Sequence, residues 1–153
     1  GTALDRATAQ AVQDRRAAMI VVDTNLLVYL HVPSGLTVQA EAVFARDSEW
    51  VSPLVWRSEF RSALVGLMRQ GQLTVDLARE IAHRAESWMT GREYPVNTDD
   101  VLRLAEASGC SAYDCEFVAV AQDLGLPLVT ADRQLLKAFP STAVAPDVLV
   151  SPK

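Results

Sequence analysis

Histidine and cysteine are scarce in this 153-residue chain, which contains two residues of each type. Cys110 and Cys115 are too few for a disulfide framework or a thiolate metal site, so we expect both to be reduced, small and buried. His31 and His83 lie in no stretch that resembles a nucleophile–base arrangement, and we expect them to be structural or solvated. These absences disfavour a nuclease that works through a histidine pair.

Two well-known motifs and all long apolar runs are also missing. The chain contains neither G-x-S-x-G, which serine hydrolases use, nor G-x-x-x-x-G-K, which cradles phosphate in P-loop NTPases. No apolar run reaches membrane-spanning length, and the polar, Ala-rich first eighteen residues do not resemble a secretory signal. We therefore expect a cytoplasmic protein that does not associate with a membrane.

Basic charge is in the minority, because 14 Lys and Arg residues stand against 19 Asp and Glu residues and leave a net charge of −5. This balance argues against a surface coated with nucleic-acid-binding charge. The objection weakens if four acids are gathered around a cation, since they would account for most of the excess.

Strand-like and helical patterns alternate from Met19 onward. Size and composition predict one globular domain over 19–153, preceded by a leader or cloning extension over 1–18. We predict strands at 19–23, 92–96 and 125–132, a short strand or turn at 49–53, and one or two last strands within 142–150. We predict helices at 25–31, 37–47, 54–70, 75–90, 99–107, 111–124 and 133–138. This alternation predicts an α/β fold, a three-layer α/β/α sandwich with a mainly parallel central sheet.

Two aspartates follow buried strands. Asp23 comes directly after Ile20-Val21-Val22, and Asp132 comes shortly after Leu128-Val129. In an open parallel sheet, ligands bind beyond the carboxyl ends of the strands, so both acids could meet in one crevice. Taken alone, each of them is more often a simple helix cap, a role that Asp fills well.

Two further acids lie near apolar helix faces. Asp114 shares its helical face with Phe117, Val118 and Ala121, close to the helix start, whereas Glu116 points elsewhere and is expected at the surface. Glu59 lies at the edge of the apolar face of the helix over 54–70, where a solvated side chain is the commoner outcome. Four acids near the core need a common partner, and a hard divalent cation such as Mg²⁺ or Mn²⁺ is the simplest one.

Three segments together resemble the PIN-domain ribonucleases, most closely the VapC toxins of bacterial toxin–antitoxin pairs. These segments are IVVDTN, SEFRSAL and YDCEFVAVAQDLGLPLVTADRQL, within a match from Met19 to about Val144. The resemblance implies a metal-dependent endoribonuclease on an α/β/α sandwich. It also implies an RNA substrate, a cognate antitoxin and a homodimer.

Residue by residue, the resemblance implies that Asp23, Glu59, Asp114 and Asp132 are the catalytic and metal-binding acids. Asn25 and Thr130 match polar residues near the first and last of these, and Ser62 replaces an Asn that the family often has. Three arginines near the acids are candidate RNA contacts: Arg57, Arg61 and Arg133. A cation bound by these four acids would activate water for attack on an RNA phosphodiester. This route does not need the ribose 2′-hydroxyl, so we expect 5′-phosphate and 3′-hydroxyl ends.

Other functions remain open from the residues alone. A haloacid-dehalogenase-like phosphatase also places an Asp after its first strand and uses Mg²⁺, but it needs a second Asp where Asn25 stands. A receiver-type signalling domain would place an acidic pair such as Asp99-Asp100 earlier in the chain. A catalytically dead binding module would not need all four acids.

Two helices carry more apolar surface than one small sheet needs. They are the helices over 54–70 and 75–90, with Leu64, Leu67, Met68, Leu77, Ile81, Trp88 and Met89. We expect this pair to form a groove or dimer surface that also takes an amphipathic antitoxin segment.

Overall fold

The computed structural model describes residues 2–17 and 19–152. Its strands are β1 Met19–Val22, β2 Glu49–Pro53, β3 Glu93–Tyr94, β4 Leu128–Val129 and β5 Ala143–Val144. Its helices are α1 Ala3–Ala17, α2 Thr24–His31, α3 Thr37–Arg46, α4 Trp56–Arg69, α5 Val75–Trp88, α6 Thr98–Ser108, α7 Ala112–Leu124, α8 Arg133–Ala138 and α9 Pro146–Val150. In the described part of the chain, no helix has both the length and the apolarity that crossing a membrane requires.

The strands form one sheet in the order β3-β2-β1-β4-β5, and every neighbouring pair is parallel. Helices flank this sheet, which confirms the predicted α/β class. The chain winds from β1 toward β3 on one side and from β4 toward β5 on the other. The order therefore reverses between β1 and β4, where ligand crevices form in doubly wound folds.

The central strands are buried because they are covered by helices on both faces. Val21, Val22, Leu128 and Val129 are fully buried, and so is most of the inward face of α7. The hydroxyl of buried Ser52 donates a 2.8 Å hydrogen bond to the carbonyl of Val22 and ties β2 to β1. The carboxyl end of β1 is thus held from both sides, which fixes the starting point of the next segment.

An aromatic cluster fills one end of the core. Trp50 and Phe44 pack against Trp88 with ring centroids 5.8 and 5.9 Å away, and the guanidinium of Arg92 lies 4.7 Å from the Trp88 ring centroid. His31 packs edge-on against the same ring at 5.4 Å. Trp88 is therefore chiefly a packing residue, in contrast to its predicted place on an interaction surface.

The segment 142–150 was predicted as one or two strands, and the structure corrects its second half. Ala143–Val144 forms β5, but Pro146–Val150 is helical. Pro146 occupies the first turn of α9, where its fixed φ suits a helix and its missing N–H costs nothing. The apolar run Val148-Leu149-Val150 looks like a strand by composition, but the proline turns it into a short helix.

The cysteine and histidine predictions are confirmed. Cys110 and Cys115 are free thiols and both are buried. His31 is partly buried, and its Nδ1 lies 2.8 Å from the carbonyl oxygen of Leu27. His83 is exposed on α5.

Candidate active site

The four acids that the sequence singles out lie in one open cleft at the carboxyl edge of the sheet. The cleft has a volume of about 270 Å³ and is lined by Asp23, Thr24, Asn25, Glu59, Ser62, Asp114 and Asp132. Among these lining residues there is no Lys, Arg or His. The cleft therefore concentrates negative charge without a cationic side chain of its own.

Each of the four acids lies at the N-terminal end of a helix. Asp23 caps α2, and Asp132 caps α8 by accepting the backbone N–H of Leu135 at 2.9 Å. Glu59 and Asp114 lie in the first turns of α4 and α7. The partial positive charge of a helix N-terminus favours a carboxylate there. The helix N-termini therefore offset part of the repulsion between the four carboxylates, although they do not cancel it.

Asp23 is the most constrained of the acids. Its Oδ1 accepts the backbone N–H of Thr24 at 2.7 Å, and its Oδ2 accepts the hydroxyl of Thr130 at 2.7 Å. Burial raises the pKa of Asp23, and the charges of Asp114 and Asp132 raise it further, against the lowering effect of the two hydrogen bonds. Its carboxylate is therefore fixed in place at the mouth of β1 and short of compensating charge.

Thr130 links the first and last acids. The side chain is fully buried, and its hydroxyl oxygen accepts the backbone N–H of Asp132 at 3.0 Å while it donates to Asp23. The sequence placed Thr130 near the last acid, and the structure adds its direct contact with the first. Asn25, the other predicted polar neighbour, is exposed and lines the cleft.

Glu59 is brought to the cleft by a contact that sequence reasoning missed. The buried hydroxyl of Thr24 donates to Oε1 of Glu59 at 2.9 Å, across 35 positions of the chain. Burial raises the pKa of Glu59, and the nearby charges of Asp23 and Asp114 add to that effect. Thr24 therefore orients Glu59 toward the other acids. The sequence pattern alone predicts only that this glutamate lies at the edge of the apolar helix face.

Asp114 lines the cleft together with Asp132 and interacts with it electrostatically. Ser111 caps α7, and its hydroxyl accepts the backbone N–H of Asp114 at 3.1 Å, which fixes the first turn. Burial raises the pKa of Asp114, and the charge of Asp132 raises it further. The helical-face prediction for Asp114 thus agrees with where the structure places it.

Glu116 lies closer to the cleft than its helical position suggested. The side chain is half-buried rather than at the surface, and its charge contributes to the raised pKa of Glu59. Burial also raises the pKa of Glu116 itself. Asp123, farther along α7, is exposed and is therefore a better control position than Glu116 for substitutions of acids on this helix.

The predicted arginine contacts divide into two kinds. Arg57 forms a bidentate pair with Glu93, with Nε–Oε2 at 2.6 Å and Nη2–Oε1 at 2.8 Å. Arg61 pairs with Glu86 at 3.1 Å. Arg133 is exposed and forms no ion pair with any residue that the structure describes. As RNA contacts all three stay predictions, but only Arg133 has its charge uncommitted.

The donor set of the cleft is made of oxygen atoms alone. Among the described residues, no group of three or more His, Cys, Asp or Glu side chains forms an enclosure that could hold a metal ion. Mg²⁺ does not need such an enclosure, because it keeps several waters and binds through one or two carboxylates. The cleft therefore fits a hydrated Mg²⁺ or Mn²⁺ and lacks the nitrogen and sulfur ligands of a typical zinc site.

Comparison with known proteins places this chain in a family. The model of the PIN domain matches residues 20–139. Ribonuclease VapC3 of Pyrobaculum aerophilum is 30% identical over 127 residues, which cover 80% of this chain and 95% of that protein.

Solved structures show the same fold. The crystal structure of PAE2754 from Pyrobaculum aerophilum has a TM-score of 0.67 and 24% identity, covering 87% of this chain and 88% of that one. A toxin–antitoxin complex from Klebsiella pneumoniae has a TM-score of 0.59 and 19% identity, covering 83% and 97%. By its sequence and its fold, the chain belongs to the PIN domain family.

Proposed function

We propose that this protein is a metal-dependent endoribonuclease and the toxin of a toxin–antitoxin pair. The observation that carries the proposal is the cleft itself, which lies where the strand order reverses. Four acids converge in it and no cationic side chain lines it: Asp23, Glu59, Asp114 and Asp132. A relative named as a ribonuclease and a structural neighbour solved as a toxin–antitoxin complex support this assignment.

The carboxylates of Asp23 and Asp114 would hold a hydrated Mg²⁺ or Mn²⁺, and Glu59 and Asp132 would reach it directly or through water. When bound, such a cation supplies a Lewis acid for the phosphate and lowers the pKa of a water molecule. Thr130 and Thr24 keep the carboxylates of Asp23 and Glu59 in fixed orientations. Preorganised polar groups of this kind do not have to reorient as charge develops in the reaction.

The lining side chains also define which products to expect. Since no histidine lines the cleft, no imidazole is placed to activate a ribose 2′-hydroxyl. We therefore propose that water is the nucleophile, in which case its attack breaks the P–O3′ bond and leaves a 5′-phosphate and a 3′-hydroxyl.

Product-end analysis tests the proposal directly. Purified protein is incubated with single-stranded RNA and Mg²⁺, and the fragments are tested for ligation by an enzyme that needs 5′-phosphate ends. We expect ligatable fragments that disappear when a chelator replaces Mg²⁺ and return with Mg²⁺ or Mn²⁺. Fragments with 2′,3′-cyclic phosphates, or restoration by Zn²⁺ alone, would refute the proposed chemistry.

A haloacid-dehalogenase-like phosphatase is not favoured. Asn25 lines the cleft at the position where that mechanism needs a second aspartate. Membership of the PIN domain family also argues against it. Rapid hydrolysis of a small phosphate monoester, with no RNA cleavage, would reverse this preference.

The antitoxin partner requires a surface apart from the cleft. A pocket of about 270 Å³ lies between the end of α2 and the α4–α5 hairpin. It is lined by His31, Val32, Pro33, Leu67, Gln72, Leu73, Leu77, Ile81 and Arg84. Leu77 is 43% exposed, and its neighbour Val75 is 56% exposed. We propose that this groove takes an apolar helix face of the antitoxin, with a homodimer as the toxin's own assembly.

A charge inserted into the groove tests its role. Leu77→Asp should weaken antitoxin binding by tenfold or more, because central apolar anchors carry more than about 1 kcal/mol of binding energy. Leu102→Asp is the matched control, since Leu102 is 60% exposed on α6 and lies outside the groove. Binding that is unchanged in Leu77→Asp, measured by calorimetry, would exclude this groove.

A further inference from the structure

The starts of α7 and α8 lie side by side at one rim of the acidic cleft. The amide of Gln134 in α8 donates to the carbonyl of Gly109, just ahead of α7, at 3.3 Å. The Asp114 and Asp132 side chains, which belong to these two helix starts, line the same cleft and interact electrostatically. The backbone positions next in sequence to these two acids, Tyr113 and Arg133, therefore lie close to the cleft, although neither residue is part of its lining.

The side chains of both neighbours are exposed. Tyr113 precedes Asp114, and its side chain is 64% exposed, whereas most other aromatic side chains of 19–152 pack against the core. Arg133 follows Asp132 and is also exposed. Lys137 lies one helical turn beyond Arg133 on the same face of α8 and is exposed as well.

The lining of the acidic cleft does not include the kinds of side chain that usually bind single-stranded RNA. Its lining includes no aromatic ring and no cation, so it offers an RNA strand neither a stacking surface nor charge attraction. Proteins that bind single strands combine both, with a basic track for the backbone and aromatic rings for the bases. On α4, Arg57 and Arg61 are already paired with Glu93 and Glu86.

We propose that Tyr113 and Arg133 form a nucleotide-binding rim for single-stranded RNA. Tyr113 stacks on the base of a nucleotide that flanks the scissile phosphate, and Arg133 pairs with a neighbouring backbone phosphate. The inference rests on the proposed nuclease function and deepens it, because it assigns which side of the cleft the strand crosses.

Charge decides between RNA and a protein partner on this rim. Arg133 and Lys137 give the rim positive charge beside an acidic cleft, so a phosphate chain can follow the basic face while one phosphodiester reaches the acids. The apolar groove between α2, α4 and α5 lacks such a basic face next to the acids and is the better surface for a protein helix.

The test measures cleavage kinetics on a fluorescent RNA oligonucleotide that the parent protein cuts at one bond in Mg²⁺. Tyr113→Ala should raise KM about tenfold and leave kcat within about twofold, as expected when one base loses its stacking partner. Tyr113→Phe should behave like the parent, because stacking does not need the hydroxyl. Leu102→Ala, at a similarly exposed position on α6, is the matched control and should change nothing.

A second substrate identifies the base. The same oligonucleotide is made abasic at each nucleotide flanking the cut in turn, and at one of these positions the parent and Tyr113→Ala should have equal KM values. Arg133→Gln should reduce the slope of log KM against log salt concentration by about 0.7, which is the loss of one phosphate contact on a single strand.

Each outcome separates the rim from the nuclease function. If the parent cuts no RNA, the proposed function fails and the rim fails with it. If the parent cuts RNA and Tyr113→Ala keeps its KM, only the rim is refuted. A Tyr113→Ala variant that loses antitoxin binding or dimer formation but keeps its RNA kinetics would assign the ring to a protein interface and also refute the rim.

Discussion

Two glutamates near the start of α4 have sharply different environments: Glu59 belongs to α4 itself, and Glu93 of β3 contacts its first residues. Near its start, Trp56 and Arg57 both donate to the carboxylate of Glu93, at 2.8 and 2.6 Å. Arg57 holds the pKa of Glu93 below its ordinary value. Glu59 receives one hydroxyl hydrogen bond from Thr24, and its pKa is raised by burial and by other acids.

The contrast shows that the chain neutralises an acid where the fold requires it. Glu93 and Glu86 receive arginines, whereas Asp23, Glu59, Asp114 and Asp132 receive none in the cleft. Partly buried carboxylates without a cationic partner are costly, which supports the proposal that a bound cation supplies the missing charge. The comparison therefore separates acids that are paired with arginines from the four acids that we propose to serve the site.

The largest expected effect is on catalysis. Asp114→Asn keeps the size of the side chain but removes its charge, and RNA cleavage should fall by at least about a hundredfold, as for loss of a group that stabilises transition-state charge. Asp123→Asn, at an exposed position of the same helix, should cut RNA at the parent rate. Single-turnover rates in Mg²⁺ measure both, and a cleavage rate of Asp114→Asn close to that of the parent would remove Asp114 from the site.

A smaller loss is expected from the residue that orients the first acid. Thr130→Val keeps the shape of a fully buried side chain and removes its hydrogen bonds to Asp23 and to the backbone of Asp132. We expect unfolding free energy to drop by about 1–3 kcal/mol, because buried polar groups lose their partner. The rate should fall about tenfold, and Thr130→Ser should restore most of it if the hydroxyl is what matters.

The paired glutamate should show the reverse pattern. Glu93→Gln keeps the shape of the side chain but removes its charge, and we expect a loss of about 1–2 kcal/mol in unfolding free energy with cleavage within about twofold of the parent. Urea denaturation and a cleavage assay on the same preparation measure the two quantities. Loss of cleavage without loss of stability would mean that Glu93 belongs to the site after all.

The parts of the site that sequence predicts are those fixed by local pattern. A buried strand that ends in Asp23 and an inward acid in the first turn of α7 can both be read from a few consecutive residues. The parts it misses depend on contacts distant in sequence, such as the hydrogen bond from Thr24 to Glu59. Glu116 is missed because helical periodicity turns it away from the apolar face, although neighbouring elements cover it.

The fold likewise has parts that the sequence predicts and parts that it misses. Alternating apolar strands and amphipathic helices predict the parallel sheet, and the predicted helices agree with the structure to within about two residues at most ends. The helix Pro146–Val150 is not predicted, because its Val and Leu residues favour strands and only Pro146 signals a helix start. The packing role of Trp88 is also missed. The amphipathic pattern of a helix shows which face is apolar, but it does not show how deeply neighbouring elements bury that face.

The most direct test of unneutralised charge is the stability of the metal-free protein as a function of pH. In the folded state burial and like charges raise the pKa of Asp23, Glu59 and Asp114 above ordinary values, so the folded state binds more protons than the unfolded one. Stability from these acids is therefore lost as pH rises from the ordinary carboxyl range through the raised values, and the full penalty is present at neutral pH. Glu93 has the opposite sign, and its contribution is lost as pH falls toward its lowered pKa.

The deciding measurement compares the melting temperatures of the parent and Asp114→Asn in chelator, from the ordinary carboxyl range up to neutral pH. We predict that Asp114→Asn melts above the parent at neutral pH and that the difference shrinks as the pH is lowered. Mg²⁺ at a hundredfold excess over its dissociation constant should add about 2.7 kcal/mol to the parent and less to the variant. An Asp114→Asn protein that melts below the parent at neutral pH without metal would contradict the view that these acids are held together against their own repulsion.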